Sequence, residues 1–192
     1  MSKLKGVRLQ GEIDKYRMEG QWRKVFELLP SVSAKGSNLE HMSNFYTGEV
    51  MLELFMENGK AVSNPDPKYA VELQSIKKYL LAVFDSAEVK PEVALESNLL
   101  LSKLYFVSAK YEDALTALSK AKLEQLDAKF TSLRTLRLVA EAYSLKGTCL
   151  ETDPPKLANR HQRSARQEKI LDCFLNSTKL STAYVKVLQL RD

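Results

Sequence analysis

The sequence predicts an all-α protein, and three observations carry that prediction. Apolar residues recur at helical spacing in about eight stretches, no stretch alternates as a strand does, and breakers are sparse. Seven glycines and six prolines in 192 residues fall well under the roughly 12% of average usage, which excludes a turn-rich β-sandwich or a low-complexity chain. With 44% hydrophobic and 28% charged residues, the chain can bury a sizeable core and is too apolar to be disordered.

The stretches run over 3–19, 21–34, 39–57, 68–86, 92–109, 111–126, 132–148 and 163–190. Between them stand Gly20, the Ser33–Ser37 run, Asn58-Gly59 with Pro65 and Pro67, Lys90-Pro91, Asp127–Lys129, and a segment over 151–162 with Asp153-Pro154-Pro155. Proline removes a donor and fixes φ, while glycine and asparagine accept a left-handed cap. The connections near Gly20, Ala109 and Lys129 are short, so the helices they join are expected to be antiparallel neighbours. The even-numbered stretches share apolar or small residues at offsets 0, 3, 4, 7 and 10: Trp22-Val25-Phe26-Leu29-Val32, Ile76-Tyr79-Leu80-Val83-Ser86, Tyr111-Ala114-Leu115-Leu118-Ala121 and Ile170-Cys173-Phe174-Ser177-Leu180. That spacing is one face of a helix.

The segment from Leu101 to Leu115 is more specific. Leu101, Ser102, Tyr105, Tyr111, Ala114, Leu118 and Ala121 resemble the large-small pair, aromatic, turn, tyrosine and small residue of a tetratricopeptide repeat. Small Ser102 and Ala114 let two helix backbones approach, and Tyr105 and Tyr111 fill the volume on either side, Tyr111 as a buried ring. Ala109-Lys110 stands where the repeat prefers glycine and a polar residue. A second partial match runs through Tyr16, Gly20 and Trp22; a third, through Leu136, Val139, Ala140, Tyr143 and Gly147, reads as a first helix whose partner is delayed to about Arg163. Taken as turns, Gly20, Gly59, Ala109 and Gly147 are 39, 50 and 38 residues apart. That exceeds the ~34 of a regular repeat. The expected architecture is thus a tetratricopeptide-like α-solenoid of about four degenerate antiparallel helix pairs, a single domain over 1–192 with an inserted loop at 151–162.

Gly20-Gln21-Trp22, then Glu96 to Tyr105 with Tyr111-Glu112-Asp113-Ala114-Leu115, then Arg137 to Tyr143 with Lys146 to Glu151, resemble the N-terminal region of the tetratricopeptide repeat protein 7 family across nearly the whole chain. Cys173-Phe174 in the last helix fits the same pattern. The resemblance implies a non-catalytic helical scaffold, one that holds phosphatidylinositol 4-kinase III alpha at the plasma membrane with hyccin and a palmitoylated membrane anchor protein. Family members are much longer, so the chain is expected to be the opening part of a superhelix.

No set of side chains reads as catalytic, and no cofactor is expected. His41 and His161 neighbour neither cysteine nor carboxylate at a metal-site or triad spacing. Cys149 and Cys173 fall on helices expected to be neighbours, where free buried thiols are ordinary in a reducing compartment. The isolated glycines build no phosphate loop. At the positions where co-chaperone repeats carry a carboxylate clamp of Lys, Asn and Arg, this chain has Gln10, Asp14, Glu96 and Leu100. Phe45, Tyr46, Phe55, Phe106 and Phe130 are read as core.

The net charge of +5 is concentrated: Lys156, Arg160, Arg163, Arg166 and Lys169 against Glu168 give 14 residues a net +4. The segment has no aromatic residue, which argues against nucleic acid. Its functional readings are contact with an acidic partner or attraction to anionic lipid, about 1 kcal/mol per basic residue close to the surface; the plainer one is a solvated insertion leading into a helix. No apolar run longer than Tyr79 to Phe84 exists, so no transmembrane segment is expected. The start Met1-Ser2-Lys3 has no signal-peptide core. The expected location is cytoplasmic, with recruitment to the plasma membrane implied by the resemblance. An apolar, exposed end is expected near Tyr184, Val187 and Leu188.

Overall fold

A computed structural model describes residues 2–34, 39–59, 67–85, 89–126, 132–152 and 160–190. Its helices are α1 (Ser2–Glu19), α2 (Trp22–Ser33), α3 (Ser43–Glu57), α4 (Ala70–Ala82), α5 (Pro91–Val107), α6 (Tyr111–Ala121), α7 (Leu133–Thr152) and α8 (Arg160–Gln189). Single 3-10 turns precede α3 and α4 and follow α4 and α6, and no strand occurs among the described residues. The chain divides into two compact units, 1–100 and 101–192, with the division inside α5. A single domain was the expectation from the sequence, and this is a finer partition.

In the first unit, α1 and α2 are joined by one left-handed residue. Gly20 has φ +68°, the Gln21 N–H donates to Tyr16 O at 2.9 Å, and the Gly20 N–H reaches Arg17 O. This is a Schellman closure, which satisfies carbonyls the helix end leaves unpaired. Trp22, Val25, Leu29 and Val32 form the buried stripe of α2, while Phe26, at the fourth offset of the shared template, is half-exposed. Pro30 lies within α2 on its exposed side, and the carbonyl it leaves without an N–H partner belongs to Phe26, itself an exposed residue. The core sits on α3, whose Phe45, Tyr46, Val50, Leu52 and Phe55 are fully buried. A Cβ placed on Gly48 would lie 2.8 Å from Leu80 Cδ2 and 3.2 Å from Leu80 N, so the missing side chain is what lets α4 seat on α3.

In the second unit, α5 and α6 are joined by the same closure with alanine in the glycine position. Ala109 has φ +55°, and the Lys110 N–H donates to Tyr105 O at 2.9 Å. Ser102 and Ala114 are wholly buried, as the close-approach argument requires. Tyr111 departs from expectation, being half-buried and tilted against Phe106 with centroids 5.8 Å apart. Ser132 caps α7 by accepting the Thr135 N–H at 3.0 Å.

Two boundaries need correction. Gly147 is not a turn: α7 continues through it to Thr152, and a Cβ there would meet the Phe174 ring at 2.9 Å. The glycine is a slot for a ring of α8, and it looked like punctuation because glycine serves both purposes. α8 begins at Arg160 and not at about Arg163, so both ends of the expected 151–162 loop are helical, and residues 153–159 lie outside those described.

Candidate interaction surfaces

Within the first unit, ionic side chains from three helices converge in the interior. The Arg17 Nε donates to Glu49 Oε2 at 2.6 Å, and its NH2 donates to Glu49 Oε1 at 3.2 Å and to Glu96 Oε2 at 2.6 Å. NH1 donates to Asp14 Oδ1 at 3.3 Å. The guanidinium also stands 5.1 Å from the Phe45 ring and 5.4 Å from that of Tyr46. Glu49 is completely buried, and Arg17 and Glu96 nearly so. Burial works against the charged guanidinium, but Glu49 and Glu96 outweigh it and hold Arg17 well above its usual range. Burial also pushes the Tyr46 hydroxyl up, with Arg17 opposing and the three carboxylates reinforcing. Asp14 is raised by burial against the pull of Arg17. The cluster therefore ties α1, α3 and the start of α5 together.

Two of the positions compared with a carboxylate clamp, Asp14 and Glu96, belong to this cluster. Sequence reasoning named these two only to note that the clamp residues are absent, and it missed the cluster with Arg17 and Glu49 altogether. The available signal was carboxylates inside the apolar run of α3, since Glu49 and Glu53 share its buried stretch with Val50 and Leu52.

In the second unit, α7 and α8 pack along their length. The Ser177 hydroxyl donates to Ala140 O at 2.8 Å, and Arg166 donates to Leu150 O at the α7 C-terminus. Cys149 and Cys173 are both buried and free. Burial pushes the Cys149 thiol up to about 11 and also raises Cys173, so neither is a thiolate near neutral pH. Tyr143, half-buried, donates its hydroxyl to Leu123 O at 3.1 Å. A groove of about 370 Å³ follows the two helices over a floor of Ala140, Ser144, Ser177 and Ser181. On its rim, Glu141 accepts from Arg137 at 3.1 Å and from Lys103 at 3.2 Å.

The basic segment is placed as follows. Lys156 lies outside the described residues. Arg160, Arg163 and Lys169 are exposed on the first turns of α8, while Arg166 is half-buried and engaged with α7. Steps of three residues rotate each base by about 60° from the last, so Arg160 and Lys169 stand on opposite sides of the helix. The segment is not a flat basic face.

Of the repeat positions, Trp22, Leu101, Ser102, Ala114, Leu118, Ala121, Ala140 and Gly147 are buried, and Tyr16, Tyr105, Tyr111 and Tyr143 are half-buried. Phe45, Tyr46 and Phe55 are core, Phe106 is half-buried, and Phe130 lies outside the described residues. Both histidines are exposed. Among the described residues, no helix is long and apolar enough to cross a membrane, and no three His, Cys, Asp or Glu are placed to hold a metal ion. Of the residues expected at an exposed apolar end, Val187 and Leu188 are exposed, whereas Tyr184 is half-buried.

A family model for the N-terminal region of tetratricopeptide repeat protein 7 matches residues 1–190. Similar proteins include human tetratricopeptide repeat protein 7B, 30% identical over an alignment of 193 positions that covers 98% of this chain and 22% of the relative. The mouse 7B protein is 30% identical over 189 residues, 96% of this chain and 22% of its own length. Human tetratricopeptide repeat protein 7A is 23% identical over an alignment of 205 positions that covers 95% of this chain and 24% of the relative. The chain thus spans under a quarter of the length of these relatives.

Proposed function

The chain belongs to the tetratricopeptide repeat protein 7 family, and from that premise we propose that it is a non-catalytic scaffold segment acting by contact through its helix faces. The partners proposed are phosphatidylinositol 4-kinase III alpha, hyccin and a palmitoylated membrane anchor protein, which together place the kinase at the plasma membrane. The observation that carries this reading is the match of residues 1–190 to one family's N-terminal region, with α-helices in both units among the described residues.

The physical basis is a division of labour among side chains. Charged groups in the interior of the first unit are consumed by one another around Arg17, which leaves them structural. The surface of α8, by contrast, carries large apolar side chains and exposed bases. Such a surface recognises by shape and a few desolvated anchors, with no bond made or broken.

Affinity purification of the tagged chain from cells, followed by mass spectrometry, tests the proposal. Enrichment of the lipid kinase catalytic subunit over a tag-only control is the expected result. Absence of every proposed partner at saturating bait overturns it.

A further inference from the structure

A free hydroxyl stands among the bases at the start of α8. Ser164 is exposed about one turn into the helix, and its hydroxyl makes no hydrogen bond among the described residues. Thr178 and Thr182, farther along, instead donate back to the carbonyls of Phe174 and Thr178, both at 2.9 Å. Arg160 stands four residues before Ser164 and Arg163 one before it, and Arg166 follows by two. Arg160 and Arg163 are exposed and form no ion pair among the described residues. Other described hydroxyls followed two residues later by a base lack this setting. Ser33, Ser108, Ser132 and Ser177 are engaged in hydrogen bonds. Thr135 is buried, and Ser75 and Ser144 are half-buried with no base in the four residues before them.

The fold also lets this end of α8 open. Side chains 160–165 are all exposed; Arg166, bonded to Leu150 O, is the first that is half-buried, and Ile170 is the next. Unwinding the helix through Arg166 gives up backbone bonds at its end and the contact with Leu150, but uncovers no buried apolar side chain, and such ends open at low cost. The opened segment presents Ser164 in extended chain with bases on both sides, which a kinase groove lined by carboxylates reads through charge complementarity. We infer that Ser164 is a phosphoryl acceptor for a basophilic serine kinase, a protein kinase and not the lipid kinase proposed above as a partner. Ser164 Oγ bonds to the γ-phosphorus of ATP, the bond from that phosphorus to the β-phosphate oxygen breaks, ADP leaves, and the hydroxyl proton passes to the catalytic aspartate of the kinase. In the refolded helix the phosphate stands between Arg160 one turn back and Glu168 one turn on. It carries about −1.5 to −2 at neutral pH. Residues 160–169 hold four bases against Glu168, a net +3, so the phosphate removes half or more of the positive charge at this end of α8.

The full chain, folded by circular dichroism, is incubated with ATP, magnesium and the lipid-independent catalytic domain of protein kinase C, a kinase directed by bases. Tandem mass spectrometry is expected to find one added phosphoryl group and to place it on Ser164. Ser164→Ala removes it. Arg160→Glu combined with Arg163→Glu, both at exposed positions, leaves the hydroxyl in place and slows its modification by at least about tenfold. Casein kinase 2, which is directed by acidic residues, leaves Ser164 unmodified. The inference is overturned by an unmodified Ser164 after exposure to the active base-directed kinase, or by phosphate on another hydroxyl in its place. It is equally overturned if the double arginine variant is modified at the wild-type rate, or if casein kinase 2 serves as well, since the bases then select nothing. The scaffold reading stands or falls separately: it is decided by capture of the proposed partners, which this experiment does not contain.

Discussion

Arg17 links three helices of the first unit through Asp14, Glu49 and Glu96. Its guanidinium bonds Glu49 and Glu96 at distances as short as 2.6 Å, with Glu49 completely buried and Glu96 nearly so. Removing it takes the short charge-assisted bonds away from two buried carboxylates, and breaking such a buried network by one partner typically costs 3–5 kcal/mol. Arg17→Ala is therefore expected to lower unfolding free energy by about that amount in urea, whereas replacing all three with apolar residues of similar size recovers most of the loss. Failure of the triple variant to recover would show that the cluster contributes more than the avoidance of stranded charge. Ala109 presents the opposite case. A non-glycine residue in the left-handed region costs about 1 kcal/mol or more, so Ala109→Gly is expected to raise stability by about 1 kcal/mol. An unchanged urea midpoint would mean that the turn carries no strain.

Among the elements, two pairs illustrate how glycine sets helix spacing without any turn. On α3, Gly48 lies under both the side chain and the backbone nitrogen of Leu80, which is itself wholly buried. Helix propensity alone favours Gly48→Ala by about 1 kcal/mol. Overpacking against a buried leucine costs about 1–3 kcal/mol, so net destabilisation is expected in thermal unfolding. The α7/α8 pair makes a pH prediction through Cys149. Its folded value near 11 exceeds the ordinary 9, so the folded state holds its proton more tightly than the unfolded state does. The associated stability is fully present below pH 9 and lost as pH rises from 9 towards 11. Cys149→Ala is expected to show a shallower decline over that window; a decline equal to wild type would place the thiol in contact with water.

At the scale of the whole molecule, helix order and most inward faces were legible because they rest on periodicity, which a single sequence displays. Leu29, Val32, Leu118 and Ala121 are buried as their spacing predicts. What was illegible depends on partners distant in sequence. Nothing near Arg17 announces Glu49 or Glu96, and nothing near Gly147 announces the Phe174 ring that occupies its missing side chain. The basic segment was legible as a charge run but not as a helix whose turns scatter the bases around its axis and spend Arg166 on Leu150.

The central claim is that this chain works by contact, and gel filtration of the purified chain with purified phosphatidylinositol 4-kinase III alpha complex tests it most directly. The account predicts that the two elute together, with the same complex formed by Ala109→Gly. Separate elution at low and physiological salt, with the chain folded by circular dichroism, would contradict it.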